Sequence, residues 1–139
     1  MATFLLLLFL LSGAASDLIV VTVDPGDDVI LPCRAADSFI RAVEWTRPDL
    51  EPPEYVLLTI DGHLDPTHQH PSFKDRVELV DRDLKDGDVS LTLKNVSSID
   101  NGTYECRVAS AGSRRRRRSI RDSDPMRIIR LQVPEPAGE

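Results

Sequence analysis

The chain is poor in the residues that most site chemistry needs, with two cysteines, three histidines and seven glycines among 139 residues. Two cysteines cannot supply a thiolate cage, and no spacing of Cys or His in the chain matches a zinc ligand set. No glycine-rich phosphate loop occurs. Ser, His and Asp are present, but in no context such as G-x-S-x-G that would activate a nucleophile, so neither an enzyme nor a cofactor is expected. Long apolar runs are also missing. Phe4–Leu11 is apolar and uncharged, far short of the roughly 20 residues that cross a bilayer. The small residues Ser12–Ser16 follow it, so residues 1–16 read as a secretory signal peptide cleaved before Asp17. Residues 17–133 are then one domain's worth of chain, and 134–139, Pro-Glu-Pro-Ala-Gly-Glu, have the composition of a linker or tail. No membrane span is expected, and the product is extracellular: secreted as written, or on the outer side of the plasma membrane if it is part of an anchored protein.

Charge is unevenly placed. The formal net charge is −6, yet the segment up to Cys106 is strongly acidic while 107–130 is strongly basic, largely through Arg114, Arg115, Arg116, Arg117 and Arg118. An acidic body bearing one basic loop argues against nucleic-acid binding and for a local electrostatic feature.

What the chain does have is organised around Asp100-Asn101-Gly102-Thr103-Tyr104-Glu105-Cys106. Strand side chains repeat with period two, so Tyr104 and Cys106 share a face. In an exported chain an isolated cysteine pair reads as a structural bridge, and joining Cys33 to Cys106 would contribute about 4 kcal/mol by restricting the unfolded chain. Around this pair the pattern predicts strands at 18–23 (an edge strand), 29–33, 43–46, 55–60, 76–80, 89–93, 104–108 and 126–133, with Asp61-Gly62 as a hairpin turn. Residues 62–73 read as a polar loop.

The order Cys33, Trp45, then D-x-G-x-Y-x-C is the frame of an immunoglobulin domain, with Trp45 packed on the sulfurs and Tyr104 as the tyrosine corner. The extra strand at 55–60 selects the variable type. The fold class expected is therefore all-β, a variable-type Greek-key sandwich with one inter-sheet disulfide. More specifically, Glu44–Leu50, the Asp61-Gly62-His63 turn, Gln69–Leu79 and Asp88–Val96 resemble the variable-type domain of butyrophilins and myelin-oligodendrocyte glycoprotein, with fish butyrophilin-like proteins nearest in kind. The resemblance covers roughly Val20 to Val133. It implies a salt bridge between Arg76 and Asp100, and an ectodomain that binds a cell-surface receptor, on T cells or a related immune cell, and modulates activation. The alternative is a homophilic or heterophilic adhesion domain of the myelin-glycoprotein type, with weak self-association. Strand alternation places Glu44, Thr46, Tyr55, Glu105, Arg107 and Ile128 on the partner-binding face, with the aromatic and the isoleucine expected to be exposed.

Three further stretches carry chemical potential. Asn95-Val96-Ser97 and Asn101-Gly102-Thr103 are N-glycosylation sequons, and Asn101, in a tight turn, is the less accessible. His63, His68 and His70 with Asp65 invite a zinc reading, but a proline-flanked loop lacks the fixed geometry a metal needs, so no metal is expected. Arg114–Arg118 reads as a solvated loop, with two sharper alternatives: a contact with an anionic glycan or acidic receptor patch, or a proprotein-convertase site cleaved after Arg118.

Overall fold

The computed structural model describes residues 18–36, 39–50, 54–81, 84, 86–110 and 125–134. The segments expected to be a signal peptide and a linker or tail (1–16 and 135–139) and the arginine run lie outside these. Among the described residues nine strands run in chain order: β1 Leu18–Thr22, β2 Val29–Leu31, β3 Ile40–Thr46, β4 Leu57–Ile60, β5 His63–Leu64, β6 Val77–Leu79, β7 Leu91–Leu93, β8 Gly102–Ser110 and β9 Arg127–Gln132. They form a six-stranded sheet ordered β1-β9-β8-β3-β4-β5 and a three-stranded sheet ordered β2-β7-β6. This is the all-β variable-type sandwich expected from the sequence.

Period-two alternation builds the core. Leu31, Val43, Trp45, Leu57, Leu91, Leu93, Tyr104, Ile129 and Leu131 are almost wholly removed from water. Alternate residues of the core-facing strands turn to the same interior, so short segments from both sheets yield one continuous apolar layer, while β5 stays exposed. Cys33 and Cys106 are bonded through it. The Trp45 indole lies buried beside Cys106's strand and donates Nε1–H to the Val89 carbonyl at 3.0 Å, satisfying the polar atom that burial would otherwise strand.

Several boundaries differ from the sequence expectation. The first strand lies at the sheet edge as expected, parallel to β9, but ends at Thr22 rather than Val23. β2 stops at Leu31 rather than at Cys33 because the next backbone groups are used elsewhere. Cys33 N–H donates to the Ser90 hydroxyl at 3.0 Å, and the Cys33 carbonyl accepts from Val89 N–H at 2.9 Å. The same side-chain interruption keeps Val89 and Ser90 out of β7. Tyr55 is not in β4 but forms an isolated parallel bridge with Gln69.

The stretch expected to be a loop after Gly62 contains β5 and a single 3-10 turn, Pro71–Phe73. The hairpin between β4 and β5 follows from Asp61 (φ 53) and Gly62 (φ 83). Two consecutive residues with positive φ make the turn whose twist matches antiparallel strands, and Ile60 pairs with His63 across it.

Candidate functional site

Two regions compete for attention, one mechanical and one presented to solvent. The mechanical one lies at the turn before β8. Arg76 grips Asp100 with both guanidinium nitrogens, Nη2 to Oδ2 at 2.6 Å and Nη1 to Oδ1 at 3.2 Å, in the forked geometry that charge-assisted pairs favour. Asp100 is 1% exposed. Its Oδ2 also accepts Ser97 N–H at 2.9 Å, and its backbone carbonyl accepts the Tyr104 hydroxyl at 2.6 Å. The expected salt bridge and tyrosine corner are thus one network centred on a single aspartate.

The sequence reading missed Arg47 and Phe73 here. Arg47 donates to both oxygens of Asp49 (2.9 and 2.6 Å) and to the Ile99 carbonyl at 3.1 Å. Its guanidinium lies 5.5 Å from the Tyr104 ring centroid and 5.9 Å from that of Phe73, within cation–π range. Gly102 allows this approach, because a Cβ there would meet Arg47 Nε at 3.3 Å and the backbone sits at φ +155. Burial raises the Tyr104 phenol above its ordinary range, helped by Asp100 and opposed by Arg47. The Arg47 hydrogen bonds hold Asp49 below the usual carboxylate range. The Ser90 hydroxyl and N–H do the same for Asp88.

The presented region is the outer face of the six-stranded sheet. Register places Glu44 opposite Arg107 and Thr46 opposite Glu105, and Glu105 opposite Ile128. Five of the six predicted face residues therefore do share one face. Their presentation is different from what was expected. Glu44, Thr46 and Arg107 are buried, and Glu105, Ile128 and Tyr55 are half-buried; the exposed aromatic and exposed isoleucine are corrected accordingly.

The reason is lateral cover. Arg107 lies along the sheet, donating to Thr46 Oγ1 at 3.2 Å and pairing with Glu105 at 2.9 Å. Alternation fixes the side of a sheet on which a residue stands, not whether a neighbour's long side chain lies over it.

Residues that do reach solvent on this face were missed. Leu18 and Val20 are 56% and 55% exposed, and each sits directly beside β9, against Ile128 and Arg130. Parallel partners point the same way, so Leu18, Val20 and Ile128 make one apolar strip flanked by the charges of Arg130 and Glu105. The signal was available, since Leu18–Val23 is apolar at both parities apart from Thr22. Such a strip next to an internally paired polar cluster is suited to protein contact.

Other predicted sites are placed as follows. Asn95 and Asn101 are both exposed and flank the Asp100 turn. Among the described residues no cluster of three or more His, Cys, Asp or Glu is arranged to hold a metal. His70 Nδ1 instead accepts Ser72 N–H at 3.1 Å, and Asp65 accepts Thr67 N–H at 3.0 Å. A cleft of about 290 Å³ opens between β4, β5 and β6, lined by Leu57, Thr59, Leu64, Val77 and Leu84. That volume is at the lower bound for a small-molecule site. No helix among the described residues is long and apolar enough to cross a membrane.

Comparison with known proteins bears on most of the chain. A family model of the immunoglobulin V-set domain matches residues 19–121. Mouse programmed cell death 1 ligand 1 is 28% identical over 125 residues, covering 86% of this chain and 41% of that protein. Human butyrophilin subfamily 1 member A1 is 32% identical over 91 residues (63% and 17%), and human myelin-oligodendrocyte glycoprotein is 32% identical over 84 residues (58% and 33%). The chain spans less than half the length of these relatives. Among solved structures, one chain of the complex of ICOS with ICOS-L and an anti-ICOS-L VNAR domain superposes with a TM-score of 0.64 at 21% identity, covering 86% of this chain and 56% of that one.

Proposed function

The chain belongs to the immunoglobulin V-set family, and from that premise we propose that it is an extracellular, non-enzymatic recognition domain whose six-stranded sheet binds a protein receptor on a T cell or related immune cell and modulates activation. The observation that carries this reading is the apolar strip of exposed Leu18 and Val20 with half-buried Ile128, beside the tied-down Thr46–Arg107–Glu105 cluster. An apolar patch rimmed by charge is the pattern of a recognition surface. A relative named as a ligand of programmed cell death 1 supports a cell-surface receptor as the partner.

The reading extends to the segments outside the described residues. The signal at residues 1–16 exports the chain, and Arg114–Arg118 adds a salt-sensitive contact with an acidic receptor patch or anionic glycan, since exposed charges steer encounter and are screened within about 8 Å at physiological ionic strength.

The test is staining of resting and activated T cells with a multimerised domain, wild type against Ile128→Arg. Wild type stains and the variant does not, at equal melting temperature. The adhesion alternative gives a different result in sedimentation: a concentration-dependent dimer in place of a monomer.

A further inference from the structure

Asn95 and Asn101 each head a sequon at the same end of the sandwich, and the fold uses them in opposite ways. Asn101 commits its carboxamide to the backbone. Oδ1 accepts Val133 N–H at 2.7 Å, while Nδ2 donates to the Val133 carbonyl at 3.1 Å and to the Ser98 carbonyl at 3.2 Å. The two bonds to Val133 imitate a step of strand pairing, and they fasten the chain leaving β9 to the turn that precedes β8. A carboxamide nitrogen has two N–H bonds, and both are engaged. An N-linked glycan replaces one of them and sets its first sugar where a carbonyl now lies.

Asn95 presents the reverse arrangement. It is exposed, two residues past the end of β7, with a left-handed backbone at φ 50, a conformation that asparagine tolerates better than most residues. The turn is held without its side chain: Asn95 N–H donates to Asp28 Oδ1 at 2.9 Å, and its carbonyl accepts from Arg76 at 3.4 Å. Among the described residues its carboxamide has no hydrogen-bond partner, so a substituent on Nδ2 costs the fold nothing.

We propose that Asn95 carries the N-linked glycan, and that Asn101 stays unmodified as a clamp on the last strand. In the transfer, Asn95 Nδ2 attacks C1 of the first sugar of a polyprenyl-diphosphate oligosaccharide. An N–C bond forms, the C1–O bond to diphosphate breaks, the lipid diphosphate departs, and the amide proton passes to the transferase's base. A glycan at this position covers the end of the β7–β6 pair and leaves the outer face of β1 and β9 bare. The assignment is independent of which receptor, if any, the face binds.

The experiment is secretion of the full chain from mammalian cells, with intact mass before and after enzymatic release of N-glycans, which leaves aspartate at the former attachment site. Wild type carries one glycan and release marks position 95. Asn95→Asp carries none. Thr103→Val destroys the second sequon but keeps the Asn101 amide, and it retains both the glycan and the wild-type melting temperature. Asn101→Gln retains the glycan and melts lower. A second glycan on wild type, a glycan surviving Asn95→Asp, loss of the glycan in Thr103→Val, or an unglycosylated wild type overturns the acceptor assignment. An unchanged melting temperature for Asn101→Gln overturns the clamp.

Discussion

The turn before β8 and the outer face of the six-stranded sheet are built by opposite strategies. At the turn, Asp100 gathers Arg76, Ser97 and Tyr104 onto one buried residue, and Arg47 closes over the Tyr104 ring. Every polar atom named there has a directional partner, and removing any one leaves another stranded. On the outer face Thr46, Arg107 and Glu105 pair among themselves, and beside them the aliphatic side chains of Leu18 and Val20 stand in water. The first region spends its chemistry on shape. The second keeps apolar area uncovered, which disfavours the isolated domain slightly and favours a complex. On the proposed function, stability and recognition are carried by different residues, and substitutions should separate them.

The largest expected effect breaks the frame on which both regions stand. Replacing Cys33 and Cys106 together by Ala removes a cross-link over a sequence separation of 73 and should cost about 4 kcal/mol in denaturant unfolding. Arg76→Ala strikes the turn alone. It leaves the Asp100 carboxylate buried without its counter-charge, with an expected loss of about 3 kcal/mol; an effect below 1 kcal/mol would show that the network is ornamental.

Tyr104→Phe keeps the ring and deletes only the hydroxyl bond to the Asp100 carbonyl, for about 1 kcal/mol. The acid limb is smaller. Asp49 and Asp88 have folded pKa values below their unfolded ones, so the stability they contribute is present above about pH 4 and is lost as pH falls through the folded values. Asp88→Asn should therefore flatten the acid end of a stability–pH profile and leave the neutral region's slope alone. The smallest effect on stability is predicted for the face: Leu18→Ser should change it by less than about 0.5 kcal/mol while weakening partner binding, which melting and binding measurements on the same preparation will distinguish.

The contrast also explains what could be read in the sequence. Cys33, Trp45, Tyr104 and Cys106 announce themselves because a rare residue at fixed spacing has few alternative explanations, and Arg76 and Asp100 followed from the resemblance to butyrophilin-type domains. Phe73 and Arg47 escaped because their partners are set by a 3-10 turn and a proline-flanked bend, which carry no periodic signal. On the outer face, parity found the correct side for Glu44, Thr46, Glu105, Arg107 and Ile128, but not the lateral reach of the Arg107 side chain. Leu18 and Val20 were passed over although Leu18–Val23 is apolar at both parities apart from Thr22; what local pattern does not give is their neighbour, since their strand pairs with the last one in the chain. Nor does a sequon show whether its carboxamide is already in use, as at Asn101.

The most direct test of the central claim measures binding of multimerised wild-type domain and Ile128→Arg to activated T cells, with both melting temperatures recorded. The account predicts saturable staining by wild type, its loss in the variant, and coincident melting. Equal staining by the two, or none by wild type, would contradict the assignment of the outer sheet face as the recognition surface.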